Sequence, residues 1–314
     1  MKILHVLSQL TKIGAALLAA VLIPSTGWGC ACGCDIFDVA TSSMFPTGPG
    51  GMVFLNYDYQ DQNQNWSGTS SAPASHNDDK EIKTDFFSLG LQYFFNYKWG
   101  IEAELPYDDR SFTTKNDAGK IVTRTWNQPG DLRIEGVYTG FFPDLSAGVN
   151  LGLKLPTGSY TFDPHIVDRD TQLGTGSTDI LLGGFYRNSL TKDGKWDWFA
   201  QTELDLPVLT QDHYRPGLEL DTAGGIYYKG WWLGRVKISP IAQAIVSERT
   251  SDGGGNSAHP VASGFQRILL SPGIEFHIHP VKIYADAEVP VFQNFTGNQI
   301  TAPVLIKATI SWAF

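Results

Sequence analysis

A transmembrane antiparallel β-barrel of about twelve strands is the fold class this 314-residue sequence predicts. Three observations predict it. The chain begins with a secretory-type leader, it continues as evenly spaced period-two segments, and it ends on a strand that alternates almost without fault. In that last strand Val304, Ile306, Ala308, Ile310, Trp312 and Phe314 share one face, and Leu305, Lys307, Thr309, Ser311 and Ala313 share the other. Period two places the two sets on opposite sides of a sheet. An apolar face against lipid and a polar face against water is the pattern of a membrane barrel. Alternation alone also fits a soluble sandwich, whose apolar face would be its core. The two chain ends decide between them.

At the N-terminus, Lys2 and Lys12 precede the apolar run Ile13 to Ile23, then Pro24 and the small residues Ser25, Thr26 and Gly27 lead to a cut near Gly29 or Ala31. Such an order is that of a signal peptide, and eleven apolar residues are too few to span a bilayer as a helix. The predicted division is therefore a signal peptide at 1–29, a cysteine-containing periplasmic tail at 30–49 and the barrel at 50–314. Loss of the signal moves the formal charge from −9 to −11. That acidity argues against nucleic acid as a partner, which needs an excess of Lys and Arg. In the tail, Cys30, Cys32 and Cys34 alternate, so their thiolates could share a soft cation such as Cu(I) or Zn(II). Acylation of Cys30 and an uncommitted or partner-facing tail are the other readings. No cofactor is expected.

Twelve segments follow in order, near 51–61, 84–95, 100–112, 130–140, 146–157, 178–188, 196–207, 218–228, 234–248, 264–277, 281–293 and 303–314. Each is a period-two run bounded by turn residues. After the even-numbered segments the connections are tight, as in Asn96 to Trp99, Phe142 to Leu145 and His279-Pro280. After the odd-numbered ones they are mostly longer and polar, as in Asp61 to Lys83 and Thr161 to Ser177. Short inner turns, long outer loops and aromatics beside the turns (Trp99, Phe141, Trp196, Trp231, Trp232) match a barrel with both termini in the periplasm.

Charge separates the faces. In the eleventh segment Ile283, Ala285, Ala287 and Val289 oppose Lys282, Tyr284, Asp286 and Glu288, and in the third Ile101, Ala103 and Leu105 oppose Glu102 and Glu104. A charge at mid-membrane on the lipid face costs a few kcal/mol, so the charged face turns inward. The predicted lumen receives Glu102, Glu104, Asp131, Glu135, Asp179, Asp197, Glu203, Asp205, Glu219, Asp221, Glu275, Asp286 and Glu288. Against them stand Arg133, Lys154, Arg187, Arg235, Lys237, Arg267, Lys282 and Lys307. Such mixing predicts ion-pair ladders along the wall and a residual field that favours cations. Twelve strands enclose a narrow bore, or one blocked by an inward loop or by the tail.

One pattern recurs on alternate strands, placing Pro106, Pro156, Pro207 and Pro290 after an apolar-charged-apolar triplet. Proline cannot donate to a ladder, so each marks either a bulge or bend or the end of regular strand near the outer rim. The hairpin sequences Leu-Lys-Leu-Pro-Thr-Gly at 153–158 and Gly-Thr-Gly-Ser-Thr-Asp at 174–179 resemble those of the outer-membrane transporter family labelled "meta-pathway of phenol degradation". The terminal strand, with Trp312 and Phe314, likewise resembles the C-terminal assembly signal of bacterial outer-membrane barrels. The resemblance implies a Gram-negative outer-membrane barrel, partnered by lipid, by the assembly machinery and by a small, often apolar or aromatic solute. It brings no catalytic residues, and the sequence carries no Gly-x-Ser-x-Gly elbow, His-Glu-x-x-His pair or phosphate loop. The expected function is passive passage of small solutes. The alternative is a structural or partner-binding barrel whose cysteine tail binds a metal or a periplasmic redox partner. An outer-membrane hydrolase is the third reading.

Overall fold

A computed structural model describes residues 45–257 and 261–314. The expected signal, Cys30, Cys32, Cys34 and the rest of the tail up to residue 44 lie outside the described residues. Twelve long strands close one antiparallel barrel: β1 (Gly50–Gln62), β2 (Asp79–Phe94), β3 (Trp99–Lys115), β4 (Leu132–Tyr138), β5 (Ala147–Leu155), β6 (Ser177–Ser189), β7 (Trp196–Thr210), β8 (Glu219–Tyr228), β9 (Val236–Arg249), β10 (Phe265–Ile278), β11 (Val281–Thr301) and β12 (Leu305–Ala313). Each pairs with its neighbour in sequence, and β1 also pairs with β12, in a register that sets Leu55 opposite Ile310 and Asp58 opposite Lys307. Gly51 and Phe314 exchange two backbone hydrogen bonds, at 2.9 and 2.8 Å, where that seam reaches the chain end. No edge of the wall is left to be solvated by hydrocarbon, the condition a spanning sheet must meet.

The alternation read from the sequence is the inside–outside alternation of the wall. Val53, Leu55, Leu89, Leu91, Leu151, Leu153, Ile306 and Ile310 are exposed on the outer surface. Asn56, Thr84, Lys307 and Thr309 are buried on the inner one. A band of apolar side chains this broad is an aggregation liability in water and a lipid contact in a membrane. Around the end of the barrel that carries the short turns, exposed Tyr97, Trp99, Phe141, Phe142, Trp231, Trp232 and Trp312 complete an aromatic rim.

The structure departs from the expected segments at three places. Ahead of the fourth segment, residues expected in a connection form a strand over Ile121–Pro129 that pairs with the upper part of β3, and β4 pairs with its lower part. β11 runs on to Thr301, and its extension pairs with the short strand Gln64–Gly68. At the start of β9, Trp231–Leu233 folds back against Val236, Lys237 and Ile238. Gly234 makes that turn with φ +63, a conformation that costs a glycine little. Arg235 sits in this turn and is exposed, so its assignment to the lumen is corrected: the strand begins at Val236, two residues later than periodicity suggested. The prolines do not behave alike. Ladder shifts fall at Pro207/Leu209 on β7 and beside Pro290 on β11, whereas Pro156 follows the last residue of β5. Pro106 lies within an unbroken ladder to β2, opposite Ser88, but on its other side the wall changes partner from β4 to Ile121–Pro129.

Candidate functional site

Where the first half of the barrel meets the middle, interior charges form a ladder across four strands. Arg133 of β4 contacts Glu203 of β7 and lies 3.5 Å from Asp205. Lys154 of β5 stands between Asp179 of β6 at 2.7 Å and Asp205 at 2.8 Å. Period two supplies this arrangement, because Arg133, Lys154, Asp179, Glu203 and Asp205 all occupy the inward parity of their strands. Desolvated ions are tolerated only when paired and hydrogen-bonded, and here each cation faces two carboxylates.

Above the ladder, β5 ends at Leu155, opposite Leu132 where β4 begins, while β3 and β7 run further, and the chain from 156 to 176 turns inward to cover the notch. Asp131 holds the neck of this loop. Its carboxylate accepts from the Gly158 amide at 2.9 Å, the Thr175 amide at 2.8 Å and the Thr175 hydroxyl at 2.5 Å. The Gly158 and Gly174 backbones pass so closely that a Cβ on Gly174 would collide with the Gly158 carbonyl. The two motifs that carried the family resemblance therefore meet here, as the two sides of one neck. Further in, Arg110 donates to the Thr171 carbonyl at 2.8 Å, and the Arg169 guanidinium lies between the rings of Tyr160 and Tyr214, 4.1 and 4.5 Å from their centroids. Phe162 stacks on Trp126 at 4.7 Å, and Val167 and Leu173 bury against Ile82, Phe112 and Ile300. Burial and the neighbouring Asp252 raise the Tyr214 phenol above its ordinary range, so it stays protonated and donates to Asp252 at 2.8 Å.

At the turn end the chain ahead of β1 enters the barrel. Phe45 is 3% exposed, and its ring lies 5.3 Å from that of Phe185 and 5.6 Å from that of Phe199. Arg187 places its guanidinium 5.7 Å from the Phe45 centroid and donates to the Pro46 carbonyl at 2.9 Å. Between this aromatic contact and the outer loop lies a cavity of about 200 Å³.

Of the residues assigned to the lumen from sequence, Glu102, Glu104, Asp131, Arg133, Glu135, Lys154, Glu203, Asp205, Glu219 and Asp221 line that cavity. Asp179 is fully buried behind Lys154. Lys237, Arg267, Glu275, Lys282, Asp286 and Glu288 take the inward parity of β9, β10 and β11 but are outside the cavity lining. That side of the bore is filled instead: Gln243 donates to Ser271, Tyr284 and Asp286, each at 3.1 Å, and Tyr284 donates to Asp286 at 2.7 Å. Lys307 is buried 3.7 Å from Asp58, and Asp197 accepts from the Tyr227 hydroxyl.

Sequence reasoning missed Arg110, which lies within the expected third segment and shares the parity of Glu102 and Glu104, so carrying the alternation to the end of that segment would have found it. It also missed Phe45, Arg169 and Asp170, which reach the cavity from connecting segments and carry no periodic signal. In all, eleven Asp and Glu and five Lys and Arg among the described residues line the cavity, so its formal balance is acidic.

No family model matches the sequence, and no curated protein matches it. Among solved structures, an outer-membrane channel from Pseudomonas putida F1 is similar with a TM-score of 0.64 and 11% identity, over 86% of this chain and 96% of that one. The β domain of the Bordetella autotransporter BrkA is similar with a TM-score of 0.49 and 12% identity, over 85% of this chain and 100% of that one. The first likeness shows the fold, a closed barrel of outer-membrane type. The narrower resemblance to the phenol-degradation family rests on its two short motifs alone.

Proposed function

We propose that this chain is an outer-membrane channel through which small solutes pass by passive diffusion, with the turn end in the periplasm. The observation that carries the reading is a closed wall, apolar outside, around a charge-lined cavity that is covered at both ends by connecting segments. Phe86, Phe185 and Leu173 interrupt the charges of the lining, which suits solutes that carry an apolar ring or chain beside a polar group. The acidic balance favours cations among simple ions.

Conductance and solute uptake after reconstitution test the reading. We expect cation-preferring currents that rise when either cover is loosened. A folded barrel that stays impermeable to ions and to small solutes in the unmodified protein, in Asp131→Ala and in Phe45→Ala rejects it.

A further inference from the structure

We infer that the pocket holding Phe45 is a binding site for an arene bearing a carboxylate on a short arm, and that Phe45-Pro46 occupies it as a built-in competitor. The inference rests on the channel reading for its consequence, since displacement of Phe45 would open the turn end of the bore, but not for the binding event itself. Phe45 supplies the ring and the Pro46 carbonyl supplies the acceptor that such a ligand would bring. Phe185 and Phe199 lie on the ring at separations where aromatic pairs attract. Arg187 meets both halves, over the ring and on the carbonyl oxygen. A guanidinium binds a carboxylate more strongly than an amide carbonyl, because the acceptor is then charged and can take two parallel bonds. The free ligand therefore has an advantage that the tail lacks.

Two further observations set the sign of the ligand's charge. Asp197, the acid near this end of β7, is already engaged by Lys229 at 3.1 Å and by Tyr227 at 3.0 Å. Lys237, His277 and Lys282 are cross-strand neighbours on the interior of β9, β10 and β11 at the same end, accompanied by Glu275. The turn end is thus locally basic while the cavity above it is acidic, so an anionic arene would reach the seat from the turn side. The occupant is also weakly tethered. Among the described residues, the segment 45–49 is held by the one hydrogen bond from Arg187, and Thr47 and Pro49 are exposed.

The test uses the full-length protein folded in detergent and in bilayers, with 3-phenylpropionate as the probe and 3-phenylpropylamine as its cationic counterpart. An internal competitor lowers apparent affinity by the fraction of time the site is free. Phe45→Ala should therefore bind 3-phenylpropionate about tenfold more tightly than the unmodified protein. Arg187→Gln, added to Phe45→Ala, should abolish that gain, and the amine should bind neither form. Phe45→Leu serves if the alanine variant folds poorly, with heat-modifiable gel mobility as the folding control. Equal affinity of the unmodified protein and the Phe45 variants, or binding of the amine as tight as that of the acid, overturns the site. Conductance is read separately. Displacement by 3-phenylpropionate without current in any variant supports the seat and rejects the channel, whereas current without displacement rejects the seat and leaves the channel standing.

Discussion

The two covers of this barrel are built in different ways. The outer one, residues 156–176, is tied to the wall by buried polar bonds from Asp131 and Arg110, by an Arg169 sandwich and by a packed apolar cluster. The inner one is a single ring with one hydrogen bond behind it. A segment whose polar groups are satisfied only by the wall cannot leave without stranding them, at about 1–3 kcal/mol each. A ring on a segment held by one hydrogen bond gives up only that bond and its own contacts. The comparison teaches that the outer cover is part of the folded barrel and the inner one is the part that can move. Elements that open in function come from the least stable end of a structure.

The largest expected effect lies beneath the outer cover. Replacing Lys154 by Met leaves Asp179 and Asp205 facing each other with their shared cation gone, and breaking a buried pair in this way costs about 3–5 kcal/mol. Urea unfolding of the detergent-folded barrel measures it, and an unchanged midpoint would mean the ladder does not brace the wall. Asp131→Ala comes next. It strands the Gly158 and Thr175 amides and leaves the Thr175 hydroxyl only Ser177, for a loss on the order of 3 kcal/mol. Because that loss is local, protease cleavage within residues 157–176 should accelerate more than global unfolding does. Equal protection of the loop in the variant and the unmodified protein would show that Asp131 does not hold the neck.

Phe45→Ala should cost the barrel less, about 1–2 kcal/mol, the worth of the ring's contacts with Phe185 and Phe199, since the bond from Arg187 goes to the main-chain carbonyl of Pro46. A destabilisation as large as that of Lys154→Met would erase the distinction between the covers. The smallest effect is on selectivity. Glu102→Gln with Glu104→Gln removes two of the eleven lining acids, so the reversal potential should shift towards neutrality without a change of fold. Anion preference in the unmodified protein would contradict the acidic balance of the cavity.

Much of the wall was legible in the residues, because a strand's period is two and a lipid boundary penalises charge on one side only. That pair of constraints assigned an inward face to Glu102, Arg133, Lys154 and Glu203, which line the cavity although their partners lie on other strands. It misplaced Arg235, because Trp231–Leu233 keeps the alternation while folding back as a short hairpin. It left Ile121–Pro129 in a connection between the third and fourth segments, whereas that stretch is a strand that lengthens the wall beside β3. The four prolines share one local sequence, yet only Pro207 and Pro290 coincide with register shifts, since a bulge depends on what the neighbouring strand offers.

By itself, then, the sequence determined the barrel class, the order of its strands and the face on which each wall residue stands. These follow from repeated local preferences that need no knowledge of distant partners. Tertiary structure alone decided that β5 stops short, that residues 156–176 turn in to fill the gap, and that Phe45 finds Phe185, Phe199 and Arg187 across more than a hundred residues of chain. A connecting segment has no period to read. Where it goes is settled by which buried donors, acceptors and rings the closed wall leaves for it to satisfy.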